Sequence, residues 1–155
     1  MAKTDRNAGS FGPRRRARRR VLQALYQWQM TGDTADEIIS QFLEEQSWER
    51  VDGDYFKELL TESIAENEVI SNGLKAFLDR PIEHVDCLER SVLQLAAAEL
   101  LFHADIPFRV ILDEAIDLAR RFGAEQSHAY VNAVLDKAAR QWRSEEAGVK
   151  ATADG

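Results

Sequence analysis

The stretch from Leu88 to Phe102 constrains this chain more than any other, because its apolar side chains cannot be confined to one side of a helix. Leu88, Val92, Leu93, Leu95, Ala96, Ala97, Ala98, Leu100, Leu101 and Phe102 surround most of the circumference at 3.6 residues per turn. A helix apolar nearly all round must sit at the centre of other helices. It is too short for a bilayer: the richest run, Ser91 to His103, contains Glu99 and falls well below the roughly 18 apolar residues that a span needs.

The flanking sequence supplies amphipathic partners. From about Arg14 to Met30, Ala17, Val21, Ala24, Leu25 and Trp28 share a face, and Thr31-Gly32-Asp33 offers a glycine for a left-handed stop. A second helix, about Thr34 to Gln46, turns Ile38, Ile39, Phe42 and Leu43 inward, with Thr34 and Glu37 spaced as a capping box. Asp52 and Asp54 open a third, predicted as one long and kinked helix carrying Phe56, Leu59, Leu60, Ile64, Val69, Ile70, Leu74, Phe77 and Leu78 until Asp79-Arg80-Pro81. The central helix is predicted over about Asp86 to His103. After Pro107 comes a helix over about Phe108 to Phe122, with Gly123 expected as its C-terminal cap. The last runs from about Ser127, expected as its cap, to Arg143, with Val131, Val134, Leu135, Ala138 and Trp142 on one stripe. No alternating strand pattern and no fixed-period repeat competes with this reading. The predicted fold is all-α: a compact multi-helix bundle of about six to seven helices with short loops.

A chain of 155 residues that is 45% hydrophobic fits one core. Residues 1–13 and 144–155, rich in glycine and small polar side chains, are expected as a flexible arm and tail around a domain at 14–143. Glutamines interleave the segment after the arginines where a signal peptide needs an apolar block, so the chain reads as mature and cytoplasmic.

Several chemistries find no support. Cys87 is alone, which excludes an internal disulfide and a cysteine zinc site, and it reads as a small buried side chain. His84, His103 and His128 form no metal-binding pair, so neither a metal nor a cofactor is expected. There is no glycine-rich phosphate loop and no nucleophile elbow. Ser127-His128 lacks an orienting third group, and neighbours in sequence rarely face each other; no enzyme is expected.

Charge is segregated. Residues 1–20 hold Lys3, Arg6, Arg14, Arg15, Arg16, Arg18, Arg19 and Arg20 against Asp5, which makes this segment +7 and the remainder −14. An acidic body repels polyanions, so any nucleic-acid contact is confined to the basic patch. Guanidinium groups bind phosphate bidentately, stack on bases and stay charged at physiological pH. Six arginines over seven helical positions, 14–20, cannot share one face, so some point outward in any packing. Unpaired RNA is read by stacking beside such a track, and Tyr26 and Tyr130 lie one position off their core stripes. From position alone, each is either a stacking platform or a packing residue.

Two separated segments resemble a known family. Val110-Ile111-Leu112-Asp113-Glu114-Ala115-Ile116-Asp117-Leu118-Ala119-Arg120-Arg121-Phe122-Gly123, followed by Ser127-His128-Ala129-Tyr130-Val131-Asn132-Ala133-Val134-Leu135-Asp136-Lys137, is similar to the C-terminal signature of the NusB family of bacterial transcription antitermination factors. The arginine run leading into Val21-Leu22-Gln23-Ala24-Leu25-Tyr26-Gln27-Trp28 resembles that family's opening helix, and the likeness continues through Tyr55-Phe56 and Leu88–Leu93. The resemblance implies binding of boxA-type single-stranded RNA together with a small-subunit ribosomal protein, as the start of an antitermination complex on RNA polymerase. It places Arg14, Arg15, Arg16, Arg18, Tyr26 and Tyr130 on the RNA surface, and Glu83 and Glu89 toward the basic protein partner. Gln126 and Ala133 depart from the usual acidic residue and glycine, and Arg19 and Arg20 lengthen the basic run. Two alternatives remain: an RNA-binding module of a ribosomal RNA cytosine methyltransferase, for which the chain ends too soon, and a helical scaffold for an acidic protein partner.

Overall fold

The computed structural model describes residues 2–148, with side chains from Gly12 onward. Of the expected arm, the side chains before Gly12 lie outside the described residues; so do residues 149–155 of the expected tail. Seven α-helices and two 3-10 turns, with no strand, make up the regular structure of the described residues. None of these helices is long and apolar enough to cross a membrane. They group into two compact units, Met1–Ala65 and Glu66–Gly155.

The first unit holds α1 (Ala2–Thr31), α2 (Ala35–Glu45) and α3 (Gly53–Ala65). α1 is assigned from Ala2 rather than from Arg14, with Pro13 inside it. It ends at Gly32, whose φ of 74° is the left-handed stop expected there. Thr34 caps α2 as a full capping box: its side chain accepts from Glu37 N at 3.1 Å and the Glu37 carboxylate accepts from Thr34 N at 2.8 Å. Asp52 caps α3 by accepting from Tyr55 N at 3.0 Å. Ala17, Val21, Ala24 and Leu25 of α1, Ile38 and Phe42 of α2, and Phe56, Leu59 and Leu60 of α3 are buried. Phe42 and Phe56 stack at 5.7 Å, and Trp48, from the loop after α2, tilts onto Phe56 at 4.8 Å.

The long third helix predicted over about 52–78 is instead two. It breaks at Glu66, and α4 (Asn67–Leu74) passes into a 3-10 turn, Lys75–Phe77. The side chain of Asn67 at the start of α4 accepts from Gln94 Nε2 at 3.2 Å, a tertiary bond that local pattern does not encode. A second 3-10 turn, Ile82–His84, leads into α5 (Cys87–Phe102), which Asp86 caps through Leu88 N and Glu89 N. Every residue from Ser91 to Leu100 is buried, and within this unit α5 packs against α4, α6 (Phe108–Phe122) and α7 (Ser127–Trp142). The predicted centre is therefore the centre of the second unit.

Three local expectations are corrected. Cys87 is only half-buried, at the exposed start of α5. Gly123 has φ −97°, outside the left-handed region; its requirement is space, since a Cβ would lie 2.7 Å from Ala119 O and 2.9 Å from Leu88 Cδ2. Ser127 does not cap α7, a position held by Gln126; its buried hydroxyl donates to Glu89 at 2.7 Å. Contacts also continue past the end of α7. Arg143 is buried and donates to the carbonyls of Glu99 and Leu100, at the C-terminal end of α5, and of His103 and Ile106 in the loop that follows. Glu146 pairs with Arg143 at 2.7 Å and accepts from Phe108 N, at the start of α6, at 2.6 Å. That backbone bond, with the Arg143 guanidinium beside it, holds the Glu146 carboxyl below the ordinary glutamate range.

Candidate nucleic-acid interface

The arginine run occupies the described part of α1 where one face is core, so its side chains have unlike surroundings. Arg18 falls on the stripe of Ala17, Val21 and Leu25 and is only 2% exposed. It therefore offers no surface to a ligand and is a core residue, contrary to its expected place on the RNA surface. Arg14, Arg15, Arg19 and Arg20 are half-buried and Arg16 is exposed.

Aromatic rings and a loop carbonyl fix where the accessible guanidinium groups lie. Arg14 stands 4.2 Å from the centroid of Tyr55, which Arg18 also approaches at 5.7 Å, and Arg20 stands 4.8 Å from Trp48. Such pairings are attractive, and stronger where water is excluded. Arg16 Nη1 donates to Arg50 O at 3.1 Å. The Nε atoms of Arg14 and Arg19 and one Nη of Arg20 are shielded from solvent and have no acceptor among the described residues.

Tyr26 is on the same helix, 41% exposed, seven residues beyond Arg19 and hence about 10 Å along the axis. Arg15, Arg19 and Tyr26 follow the helical spacing of one stripe, so an exposed ring continues the line of cations.

Tyr130 belongs to the second unit, on the first turns of α7, and is half-buried. Its hydroxyl donates to Asp79 Oδ1 at 3.2 Å, while the Arg80 guanidinium lies 5.0 Å from its ring centroid and grips Asp79 with two bonds of 2.7 and 2.8 Å. The Arg80 bond keeps Asp79 below the ordinary carboxylate range. Partial burial, followed by the negative charge of Asp79, pushes the Tyr130 phenol up.

Glu83 is exposed on the Ile82–His84 turn and lines a groove of about 340 Å³ with Ser71, Asn72, Lys75, Leu78, Pro81 and Ile82. Glu89 is half-buried and receives the Ser127 hydroxyl, so its carboxylate has an internal task. The departures Gln126 and Ala133 are both exposed. Arg14, Arg15, Arg16 and Tyr26 thus share α1, whereas Tyr130, Glu83 and Glu89 are residues of the other unit.

Sequence reasoning missed Tyr55, Trp48, Arg50, Asp79 and Arg80. Tyr55 entered only within the family-like segment Tyr55-Phe56 and Trp48 carried no pattern of its own; the guanidinium-to-ring distances are what bring them to the arginine run. Asp79-Arg80 read as a helix stop.

The NusB family model matches residues 15–140. Transcription antitermination proteins NusB of Xanthomonas axonopodis pv. citri and Xanthomonas euvesicatoria pv. vesicatoria are each 49% identical over 135 residues, covering 87% of this chain and 85% and 83% of theirs. Among solved structures, T. maritima NusB superposes with a TM-score of 0.77 at 30% identity, covering 88% of this chain and 98% of that one. A crystal structure of antitermination factors NusB and NusE in complex with dsRNA shares the fold, with a TM-score of 0.74 at 24% identity over 82% of this chain and 96% of that one. A match over most of the chain, from the arginine run to the last helix, shows that this protein belongs to the NusB family.

Proposed function

We propose that this protein acts in transcription antitermination by binding boxA-type single-stranded RNA together with a small-subunit ribosomal protein, promoting processive transcription of ribosomal RNA operons. It acts by binding rather than by catalysis, in the cytoplasm. The observation that carries this reading is the arginine run built into a core helix: the side chains of Arg14, Arg16 and Arg20 are held by Tyr55, Trp48 and the Arg50 carbonyl. A cation track whose positions are set before binding loses less conformational freedom on meeting its ligand than a disordered basic tail.

Arg14, Arg15 and Arg16 form the phosphate-binding set, with Arg19 and Arg20 extending it, and Tyr26 continues the line as a stacking ring. Tyr130 supplies a second ring, for which Arg80 must yield or share its face. Glu83 and Glu89 face the basic protein partner, Glu83 with the freer carboxylate. The NusB–NusE–RNA complex among the structural neighbours supports a ternary assembly of this kind.

The test compares boxA RNA with a scrambled strand and with a duplex, with and without the ribosomal protein. Reversing Arg15 and Arg16 to glutamate lowers affinity for boxA RNA and flattens its dependence on log salt by about 0.7 for each phosphate no longer neutralised, with the helical circular dichroism intact. Unchanged affinity removes the arginine site. Tyr130→Ala costs about 1–3 kcal/mol of RNA affinity if a base stacks there; lower thermal stability with full affinity assigns the ring to packing.

A further inference from the structure

The loop between α2 and α3 is stitched to the basic helix at two points. Asp52 N donates to Pro13 O at 3.1 Å, and Arg16 Nη1 donates to Arg50 O at 3.1 Å. Its other side is held by Trp48, whose indole N–H donates to Phe42 O at 3.0 Å while the ring packs on Phe56. Val51 N bonds to Trp48 O at 3.1 Å and closes a tight turn over Glu49 and Arg50. Arg50 occupies the third position of that turn with φ 62° and is the sole non-glycine residue with positive φ among the described residues. Glycine or asparagine is favoured at such a place, because a Cβ there crowds the backbone.

Arginine is therefore a costly choice for this position on two counts. The backbone is held where glycine would rest without strain, and the side chain adds an exposed cation to the residue whose carbonyl the exposed Arg16 holds. Strained backbone at a surface that already gathers like charge is a marker of function. A long cation mounted at the edge of an arginine track gains from one class of partner, an anion that spans both. We propose that Arg50 is a further phosphate-binding residue of the RNA surface, carried beside Arg16 by the left-handed turn and presented to the same strand. This assignment rests on the RNA reading above and adds to it a phosphate ligand from outside α1.

Arg50→Gly and Arg50→Lys, in the full chain, separate the cation from the turn. The expected result for Arg50→Gly is about three- to tenfold weaker binding of a boxA RNA oligonucleotide at low salt, the net size of one hydrogen bond at an exposed site. Its slope against log salt becomes shallower by about 0.7, and its melting temperature is equal to or above that of the parent. Arg50→Lys keeps the slope. Equal affinity and equal slope for Arg50→Gly overturn the assignment, and so does weaker binding accompanied by a lower melting temperature, which would trace the effect to the loop. If the parent protein ignores the RNA, with or without the ribosomal protein, the RNA reading itself falls; if the parent binds and Arg50→Gly binds as well, only Arg50 is removed from the surface.

Discussion

Replacing Arg143 by methionine tests how the C-terminal end of α5 is closed. The substitution keeps most of the aliphatic stem and removes every donor. In the folded chain the guanidinium donates to Leu100 O at 2.9 Å, Ile106 O at 2.8 Å, His103 O at 2.9 Å, Glu99 O at 3.2 Å and the Glu146 carboxylate at 2.7 Å. Glu99 O and His103 O also accept backbone bonds, from His103 N and Ile106 N at 3.0 Å each, so they are not stranded. The loss falls hardest on Leu100 O and Ile106 O. At about 1–3 kcal/mol for each buried acceptor deprived of its donor, these two cost about 2–6 kcal/mol. No longer burying a cation offsets part of that, which leaves a net loss of about 2–4 kcal/mol. For a chain of this size each kcal/mol moves the midpoint by about 2–4 °C, so Arg143→Met should melt about 4–16 °C lower. Urea unfolding followed by circular dichroism gives the free energy directly, and Arg143→Lys, with fewer and less widely placed donors, should fall between methionine and the parent. A loss below about 1 kcal/mol for Arg143→Met would refute the reasoning.

Two further outcomes follow from the same unit. Gly123→Ala should destabilise by about 1–3 kcal/mol in urea unfolding, because the new methyl meets Ala119 O at 2.7 Å and Ser127 Cβ at 2.8 Å and no positive φ is relieved; a neutral result means that the α6–α7 corner yields. Because the folded Glu146 carboxyl sits below its ordinary range, its contribution to stability is present above the unfolded value and disappears as pH falls through the lowered folded one. Thermal melts of Glu146→Gln should accordingly lose part of the parent's decline on the acid side, and identical profiles would show that the carboxylate contributes nothing.

Helices whose signals are local were legible. Thr34 and Glu37 lie three residues apart and make the capping box they promise, and α6 occupies the predicted Phe108–Phe122. The break at Glu66 was not, because buried positions keep helical register straight across it, from Leu60 and Ser63 to Ile70 and Leu74. Ser127 was misread for a related reason: its partner Glu89 lies 38 residues away, and spacing carries no trace of it. At the interface, the outward arginines were visible as charge, and the core position of Arg18 follows from its spacing to Val21, Leu22 and Leu25. What the sequence could not show is the arrangement of ring and guanidinium at Arg14 and Tyr55, Arg20 and Trp48, and Arg80 and Tyr130. Those pairs are set by how helices and loops pack, and no local pattern encodes them.

Because the cations of α1 share a helix with Ala17, Val21 and Leu25, the RNA occupancy proposed for them would be linked to folding of the first unit. Crowded guanidinium groups push against one another whenever that helix is formed, and a polyanion that neutralises them relieves this repulsion. A strand supplied at about a hundred times its dissociation constant then adds at most about 2.7 kcal/mol to the unfolding free energy, the full amount only where the unfolded arginine run does not hold it. Heat resistance therefore becomes a titratable report of ligand, and raising ionic strength, which weakens the strand's hold, softens the mutual push within the helix at the same time.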